Sequence, residues 1–399
     1  RQVGFVRCCL KPGAAEPNGA CAGRRICLKQ ELTFCCPCHF GLESVLKFEL
    51  TQIGASNLQV SDGRITFTGD LSLLARANLC LATAERVLLV LGEFDAVTFE
   101  ELYQGVKRIP LEQYIGKLDA FPVKGYSLNS ELHSVPACQS IIKKAAVDRL
   151  SGAYHINSFA ETGAVCRIQF SLQNNHVCMY LDTSGTSLHK RGYRQNANLA
   201  PIKETLAAGI LDLARIRGNS VLCDPFCGSG TFLIEGAIKA LHIAPGINRQ
   251  FAASKWGWFP QEIWREERGR AIDSVRRDAD FEAYGWDIDP DCVELARENA
   301  KKAGVASRIH IEQGDVRKFI QPEHATVVCN PPYGERMLEV KEAEELYAVM
   351  GKRFPADAAH PCYIISPHET FESHFGKPAS KRRKLYNGML KCQLFMYFK

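Results

Sequence analysis

The chain has 399 residues, a formal net charge of +5, 46% hydrophobic and 23% charged residues. That length exceeds the usual size of one domain, so two or three domains with their own cores are expected. The composition excludes disordered and fibrous classes, and no apolar stretch approaches the ~20 residues that span a bilayer. Residues 1–30 hold six Lys/Arg against one Glu, an excess equal to that of the whole chain. Bulk charge therefore gives no argument for nucleic acid, and only local patches can. Seventeen cysteines without an export signal read as reduced thiols in a cytoplasmic protein.

Residues 1–30 mix Gly, Pro, Ala, Cys and Arg without an apolar period and read as a disordered or extraneous leader. Cys8, Cys9, Cys21, Cys27, Cys35, Cys36, Cys38 and His39 form a dense group. It lacks the paired ligand spacing of structural zinc, so no metal is expected. From Leu32 the pattern becomes regular: a strand over Leu32–Cys36, an amphipathic helix over Gly41–Ile53, a strand over Gly63–Phe67, a helix over Leu71–Cys80 and a strand over Arg86–Phe94. That order predicts a small α+β module.

Further helices are predicted over Phe99–Lys107, Pro110–Ile115 and Gln139–Leu150, with strands near Ala120–Val123, Ser127–Leu132, Val165–Leu172 and His176–Asp182. Residues 31–185 contain no glycine-rich phosphate loop and so read as a binding module. Lys143 and Lys144 fall on or beside one helical face and could meet phosphate, or simply form a solvated face. Leu188–Arg194 is the most basic stretch in the middle of the chain. Its Lys190, Arg191, Tyr193 and Arg194 suit the guidance of a nucleic-acid strand, and equally an exposed linker.

Residues 186–399 read as the catalytic half. After a helix over Pro201–Ala214, strands at Val221–Cys223, Glu282–Trp286, Arg308–Glu312, Ala325–Cys329 and Cys362–Ile365 alternate with helices, as in a doubly wound sheet. Pro245–Asp280 interrupts the alternation with Trp256, Trp258, Phe259 and Trp264, and reads as a lid packed on the core or part of the substrate wall. Arg382–Tyr386 and Met389–Phe398, joined by Asn387-Gly388, give a strong hairpin signal.

The chemistry is expected at the carboxyl ends of these strands, where open α/β sheets bind ligands. Asp224–Thr231 is neither a dinucleotide fingerprint nor a phosphate loop. Its Pro225, Phe226, Gly228, Gly230 and Thr231 would instead bring backbone close to a ligand at a helix N-terminus, with Asp224 facing the ligand's charge. Asp287, followed by Ile288, is placed for a ribose diol, and Asp315, followed by Val316, for an adenine amino group. Gly228 and Asp287 are 59 positions apart, against about 20 in a dinucleotide fold, so ribose, adenine and a cationic end together describe S-adenosylmethionine better. Asn330-Pro331-Pro332-Tyr333 then ends an apolar run: an amide oxygen and a proline carbonyl converge where neither strand nor helix can continue, beside an aromatic ring. That set grips a flat group bearing an NH2, and read alone it is also a rigid turn.

Val221–Thr231, Tyr284–Pro290, Gly314–Phe319 and Asn330–Tyr333 resemble, in this order, the motifs of class I methyltransferases that modify exocyclic nitrogens. Phe40–Glu43, Ser134–Pro136, Leu188–Arg194, Pro201–Ala207 and Tyr386–Cys392 extend the resemblance to the bacterial ribosomal RNA guanine-N2 methyltransferases that carry a THUMP domain. The resemblance implies an α/β chain: a ferredoxin-like/THUMP module, then a Rossmann-like class I methyltransferase with a C-terminal antiparallel hairpin. It implies S-adenosylmethionine as cofactor, large-subunit ribosomal RNA as partner, and N2-methylguanosine as product. Adenine N6, a transfer-RNA guanine, protein glutamine and a noncatalytic RNA-binding role are the alternatives.

Overall fold

The computed structural model describes residues 31–194, 202–334 and 337–399; the leader lies outside them. The N-terminal half contains β1 (Leu32–Pro37), α1 (Glu43–Gln52), β2 (Ser56–Ser61), β3 (Arg64–Gly69), α2 (Leu71–Cys80), β4 (Leu88–Asp95), α3 (Phe99–Arg108), β5 (Val123–Leu128), α4 (Val135–Tyr154), β6 (Ile168–Gln173) and β7 (His176–Asp182). Helix starts follow local chemistry. Asp70 accepts from the Leu73 N–H at 2.8 Å to cap α2, and Thr98 with Glu101 forms a capping box on α3.

The seven strands form one sheet, β2-β3-β1-β4-β7-β6-β5, in which β4 pairs with both β1 and β7. Two segments that read separately along the chain thus share a sheet. Strand β5 runs parallel to β6 from Val123 and ends at Leu128. The expected strand to Leu132 fails because the Ser127 hydroxyl donates to the Leu132 carbonyl at 2.7 Å, closing a turn. Pro110–Ile115 makes only a 3-10 turn at Leu111–Gln113.

The second half contains α5 (Glu204–Leu213), β8 (Val221–Asp224), α6 (Thr231–Ala240), α7 (Gln261–Asp273), β9 (Glu282–Asp287), α8 (Pro290–Lys302), β10 (Ile309–Gln313), β11 (Thr326–Cys329), α9 (Met337–Arg353), β12 (Cys362–Ser366), α10 (Phe371–Phe375), β13 (Lys381–Asn387) and β14 (Leu390–Tyr397). Their sheet runs β10-β9-β8-β11-β12-β14-β13, parallel as far as β12 and antiparallel at β14. The strand order reverses beside β8, which places a crevice at the ends of β8 and β11. In the terminal hairpin Asn387 pairs with Leu390, so the loop is Gly388-Met389 rather than Asn387-Gly388. Gly388, at φ +63°, takes the first loop position, which only glycine adopts cheaply.

The aromatic insertion is packed on a core, that of the N-terminal half, and its rings form no substrate wall. Phe251, Trp256, Phe259 and Trp264 are buried in the core of the N-terminal half. Trp256 Nε1 donates to the Val165 carbonyl at 3.2 Å and Trp258 Nε1 to that of Tyr114 at 2.7 Å. Arg76 of α2 binds both oxygens of Glu267 on α7, at 2.8 and 2.7 Å. The insertion anchors one domain on the other. Among the described residues no helix is long and apolar enough to cross a membrane.

Candidate active site

Four neighbouring strands deliver their carboxyl ends to one crevice of about 730 Å³. Asp224, Pro225, Phe226, Gly228, Thr231, Asp287, Ile288, Asp315 and Val316 line it, together with Asn330-Pro331-Pro332-Tyr333. Gly230, read as a cofactor contact, does not. At φ +79° it starts α6, and a Cβ there would lie 3.1 Å from Ala296 Cβ, so it serves the packing of α6 on α8. Gly228, at φ +48°, has nothing within 4 Å of where a Cβ would stand, leaving its backbone open to the crevice.

Each acid is prepared differently. Asp287 accepts from the Gly228 N–H at 2.8 Å and from the Asp289 N–H at 3.1 Å, one on each oxygen. It stays half-buried, with acceptor capacity left for a diol. Asp224 is buried, and that burial pushes its carboxyl well above the usual range, against the opposing N–H of Phe226 at 3.1 Å. A cationic ligand beside it would restore the charge. The Arg317 N–H, at 2.8 Å, and then its guanidinium, at 3.1 Å, hold Asp315 below the usual range, so it remains an ionised acceptor. Ile288 is 63% exposed, an apolar surface that a flat ring would cover, and Val316 is buried.

S-adenosylmethionine would be held here by Asp287 at its ribose hydroxyls, by Asp315 at its adenine amine with Ile288 and Val316 about the ring, and by Asp224 at its cationic end. When bound, it supplies an electrophilic methyl group on a sulfonium.

The Asn330 loop follows β11. Its Tyr333 hydroxyl donates to Asn330 Oδ1, and the fully buried Tyr347 of α9 donates to the Pro332 carbonyl at 3.0 Å. Burial raises the Tyr333 hydroxyl, so it stays a donor at neutral pH. Sequence reasoning missed Tyr347, which lies 15 positions from the carbonyl that it holds and on another element. It also missed Asn299 of α8, whose amide donates to the Ser229 carbonyl at 3.0 Å and pins the glycine turn. Asn387, Met389 and Leu390, at the hairpin tip, line the crevice as well. The Asn-Gly signal marked the turn without marking it as site.

The residues read as RNA contacts behave otherwise. Arg191 and Tyr193 are buried: Arg191 donates to the Leu188 carbonyl at 2.8 Å, to that of Ala82 at 2.6 Å and to Glu235 at 3.2 Å, and the Tyr193 hydroxyl donates to Glu235 at 3.0 Å. Arg194 pairs with the buried Glu204 at 2.8 Å. Arg191 ties the second half to the first through the Ala82 carbonyl, Tyr193 and Arg194 bond within the second half, and all three spend their polar groups on internal partners, as buried polar groups must. Lys143 is committed to Glu161 at 2.5 Å and to the Phe121 carbonyl at 3.2 Å. Lys144 and Lys190 are exposed, Lys144 with its ammonium 5.8 Å from the Tyr103 ring centre.

With this geometry in hand, likeness to known proteins is decisive. Residues 191–395 match the family described as RMKL-like, methyltransferase domain, residues 33–88 the RlmL ferredoxin-like domain, and residues 96–182 the THUMP domain. The chain belongs to the RMKL-like methyltransferases. It is 39% identical over 362 residues to the Bacillus subtilis (strain 168) protein named "Putative RNA methyltransferase YpsC", covering 90% of this chain and 94% of that one. It is 35% identical over 375 residues to the ribosomal RNA large subunit methyltransferase K/L of Psychromonas ingrahamii, covering 92% of this chain. It spans only 50% of that longer relative. A possible methylase from Clostridium difficile 630 superposes with a TM-score of 0.88 at 40% identity, covering 92% of this chain and 98% of that one. SMU.472, complexed with SAH, superposes with a TM-score of 0.86 at 37% identity, covering 93% and 98%. The ferredoxin-like and THUMP modules precede a Rossmann-like methyltransferase, and S-adenosylmethionine is its cofactor.

Proposed function

We propose that this methyltransferase modifies RNA, placing a methyl group on the exocyclic N2 of a guanine in large-subunit ribosomal RNA. The observation that carries the reading is the Asn330 oxygen, set in the same crevice as Asp224, Asp287 and Asp315 at the end of β11. A planar amine is a weak nucleophile because its lone pair is delocalised. Acceptors that hold its hydrogens favour the localised form and stabilise the positive charge that grows in the transition state. Asn330 Oδ1 and the Pro331 carbonyl are such acceptors, and Pro331 has no N–H to compete. The Tyr333 hydroxyl now bonded to Asn330 gives way to the substrate amine.

The THUMP match beside the methyltransferase domain supports an RNA substrate, and the name of the K/L relatives supports large-subunit ribosomal RNA. Adenine N6 presents the same NH2 to the same acceptors. It is the second reading, favoured by a Listeria monocytogenes structure at 39% identity described as a predicted N6-adenine-specific DNA methylase. Incubating the enzyme with undermodified 23S ribosomal RNA and methyl-labelled cofactor, followed by nucleoside analysis, tests both. Label in N2-methylguanosine is the expected result; label in N6-methyladenosine replaces this reading with the second.

A further inference from the structure

Three residues contributed by both domains meet beside the crevice mouth and serve nothing described so far. Phe40, in the loop before α1, is 43% exposed and packs edge-on against Tyr386 of β13, ring centres 6.0 Å apart. The Lys384 ammonium lies 5.8 Å from the Phe40 ring centre and 5.4 Å from that of Tyr386. It makes no ion pair among the described residues. The next residues along the hairpin open onto the crevice: Asn387, Met389 and Leu390 line it, Met389 is 99% exposed and Leu390 44%. The assembly is closely fitted. Gly41, at φ +89°, brings its backbone so near β13 that a Cβ would stand 2.6 Å from the Lys384 carbonyl oxygen.

We propose that Phe40, Tyr386 and Lys384 form a stacking platform for an unpaired RNA nucleotide next to the target base. The inference rests on the RNA reading above. A base whose exocyclic amine must reach Asn330 inside a crevice has to leave its stack, and its neighbours then lose a stacking partner. Aromatic rings replace that partner whatever the base, and a mobile lysine beside them can swing to the phosphate. Asn387, Met389 and Leu390, which line the crevice, follow Tyr386 directly along the hairpin, so a strand leaving the crevice has protein surface next to the rings. This surface supplies what Arg191, Tyr193 and Arg194 cannot, since those are buried or paired inside the protein.

Phe40→Leu and Phe40→Trp decide the matter, with Lys384→Gln as the charge test. Phe40→Leu keeps an apolar side chain but removes the ring. It should raise KM for the ribosomal RNA fragment, and weaken a fluorescein-labelled single-stranded oligoribonucleotide, by roughly five- to a hundred-fold. Calorimetric affinity for S-adenosylmethionine, melting temperature and kcat should stay at the parent's values, and Phe40→Trp should restore KM. Lys384→Gln should lower the salt slope of oligoribonucleotide binding by about one. Parental KM and parental oligoribonucleotide affinity in Phe40→Leu overturn the platform while leaving the RNA reading intact, provided the parent methylates RNA. A parent enzyme that methylates protein and no RNA overturns both.

Discussion

The crevice at the strand ends and the strap from Leu188 to Arg194 both gather charged groups, yet they leave those groups in opposite conditions. Asp287 has one backbone N–H on each oxygen and still faces a space of about 730 Å³. Arg191 meets two carbonyls and a carboxylate, and is buried together with Glu235. Residue type is the same kind of evidence in both places; remaining bonding capacity is what differs. A charged side chain acts on a ligand where some of its donors or acceptors are left for the ligand, and acts on the fold where the protein takes them all.

Breaking the strap should produce the largest effect, and it should fall on stability. Arg191→Ala leaves Glu235 charged, buried and short of its main partner, which typically costs about 3–5 kcal/mol. Urea denaturation should show that loss, while the folded fraction keeps its RNA affinity. A stable Arg191→Ala protein with weakened RNA binding would return this residue to the RNA surface.

Breaking the crevice should act on rate. Asn330→Ala removes an acceptor whose contact strengthens as charge develops. Losing such a contact typically costs about 2.7–4 kcal/mol, or two to three decades in kcat, with KM moving little. Rapid-quench turnover on ribosomal RNA reads this directly. Parental kcat in a folded variant would reduce Asn330 to a turn former.

Asp287→Ala tests the cofactor side and should be smaller. A hydrogen bond to a charged group is worth about 1.5–3 kcal/mol, so affinity for S-adenosylmethionine should fall roughly ten- to a hundred-fold by calorimetry. Some of that loss comes through the Gly228 turn, which Asp287 also holds. Asp287→Asn, which retains one acceptor oxygen, should lie between the two, and equal affinity in all three proteins would remove Asp287 from the site.

The crevice was legible in the sequence because the strands alternate with helices in chain order and each is followed at its carboxyl end by a polar residue, Asp224, Asp287, Asp315 or Asn330, although only β8 and β11 are apolar runs. What escaped is what depends on residues distant in the chain. Trp256 bonds a carbonyl 91 positions away, which turned an apparent lid into an anchor. Glu235 sits 44 positions from Arg191 on a mostly apolar helix, so nothing local announced that the basic strap had a buried partner. Phe40 and Tyr386 meet only because Gly41 lets the first module close on the last hairpin. Short-range chemistry also overrode periodicity, as at Leu132, whose carbonyl is taken by Ser127.

Glu49 of α1 lies between the two extremes and gives the finest test of the contrast. It faces a cavity of about 280 Å³ at the domain boundary, shared with Glu235, Lys239 and His242. Burial pushes its carboxyl up to about 7, although the Thr83 hydroxyl, at 2.7 Å, and the Thr83 N–H, at 3.1 Å, favour the charged form. The folded pKa is thus above the ordinary carboxylate value, and the folded protein binds this proton more tightly than the unfolded chain. The stability it contributes is fully present below the ordinary value near 4.5 and is lost as pH rises through about 7. Glu49→Gln removes the titration, and its amide oxygen can still accept from Thr83. Near pH 5 the variant and parent should melt together. At pH 8 the variant should be more stable by about 2–3 kcal/mol, a rise of several degrees in Tm for a domain of this size. Melting curves whose separation does not change between those pH values would mean that Glu49 is ionised throughout, held by its two bonds from Thr83 as Glu235 is held by Arg191 and Tyr193.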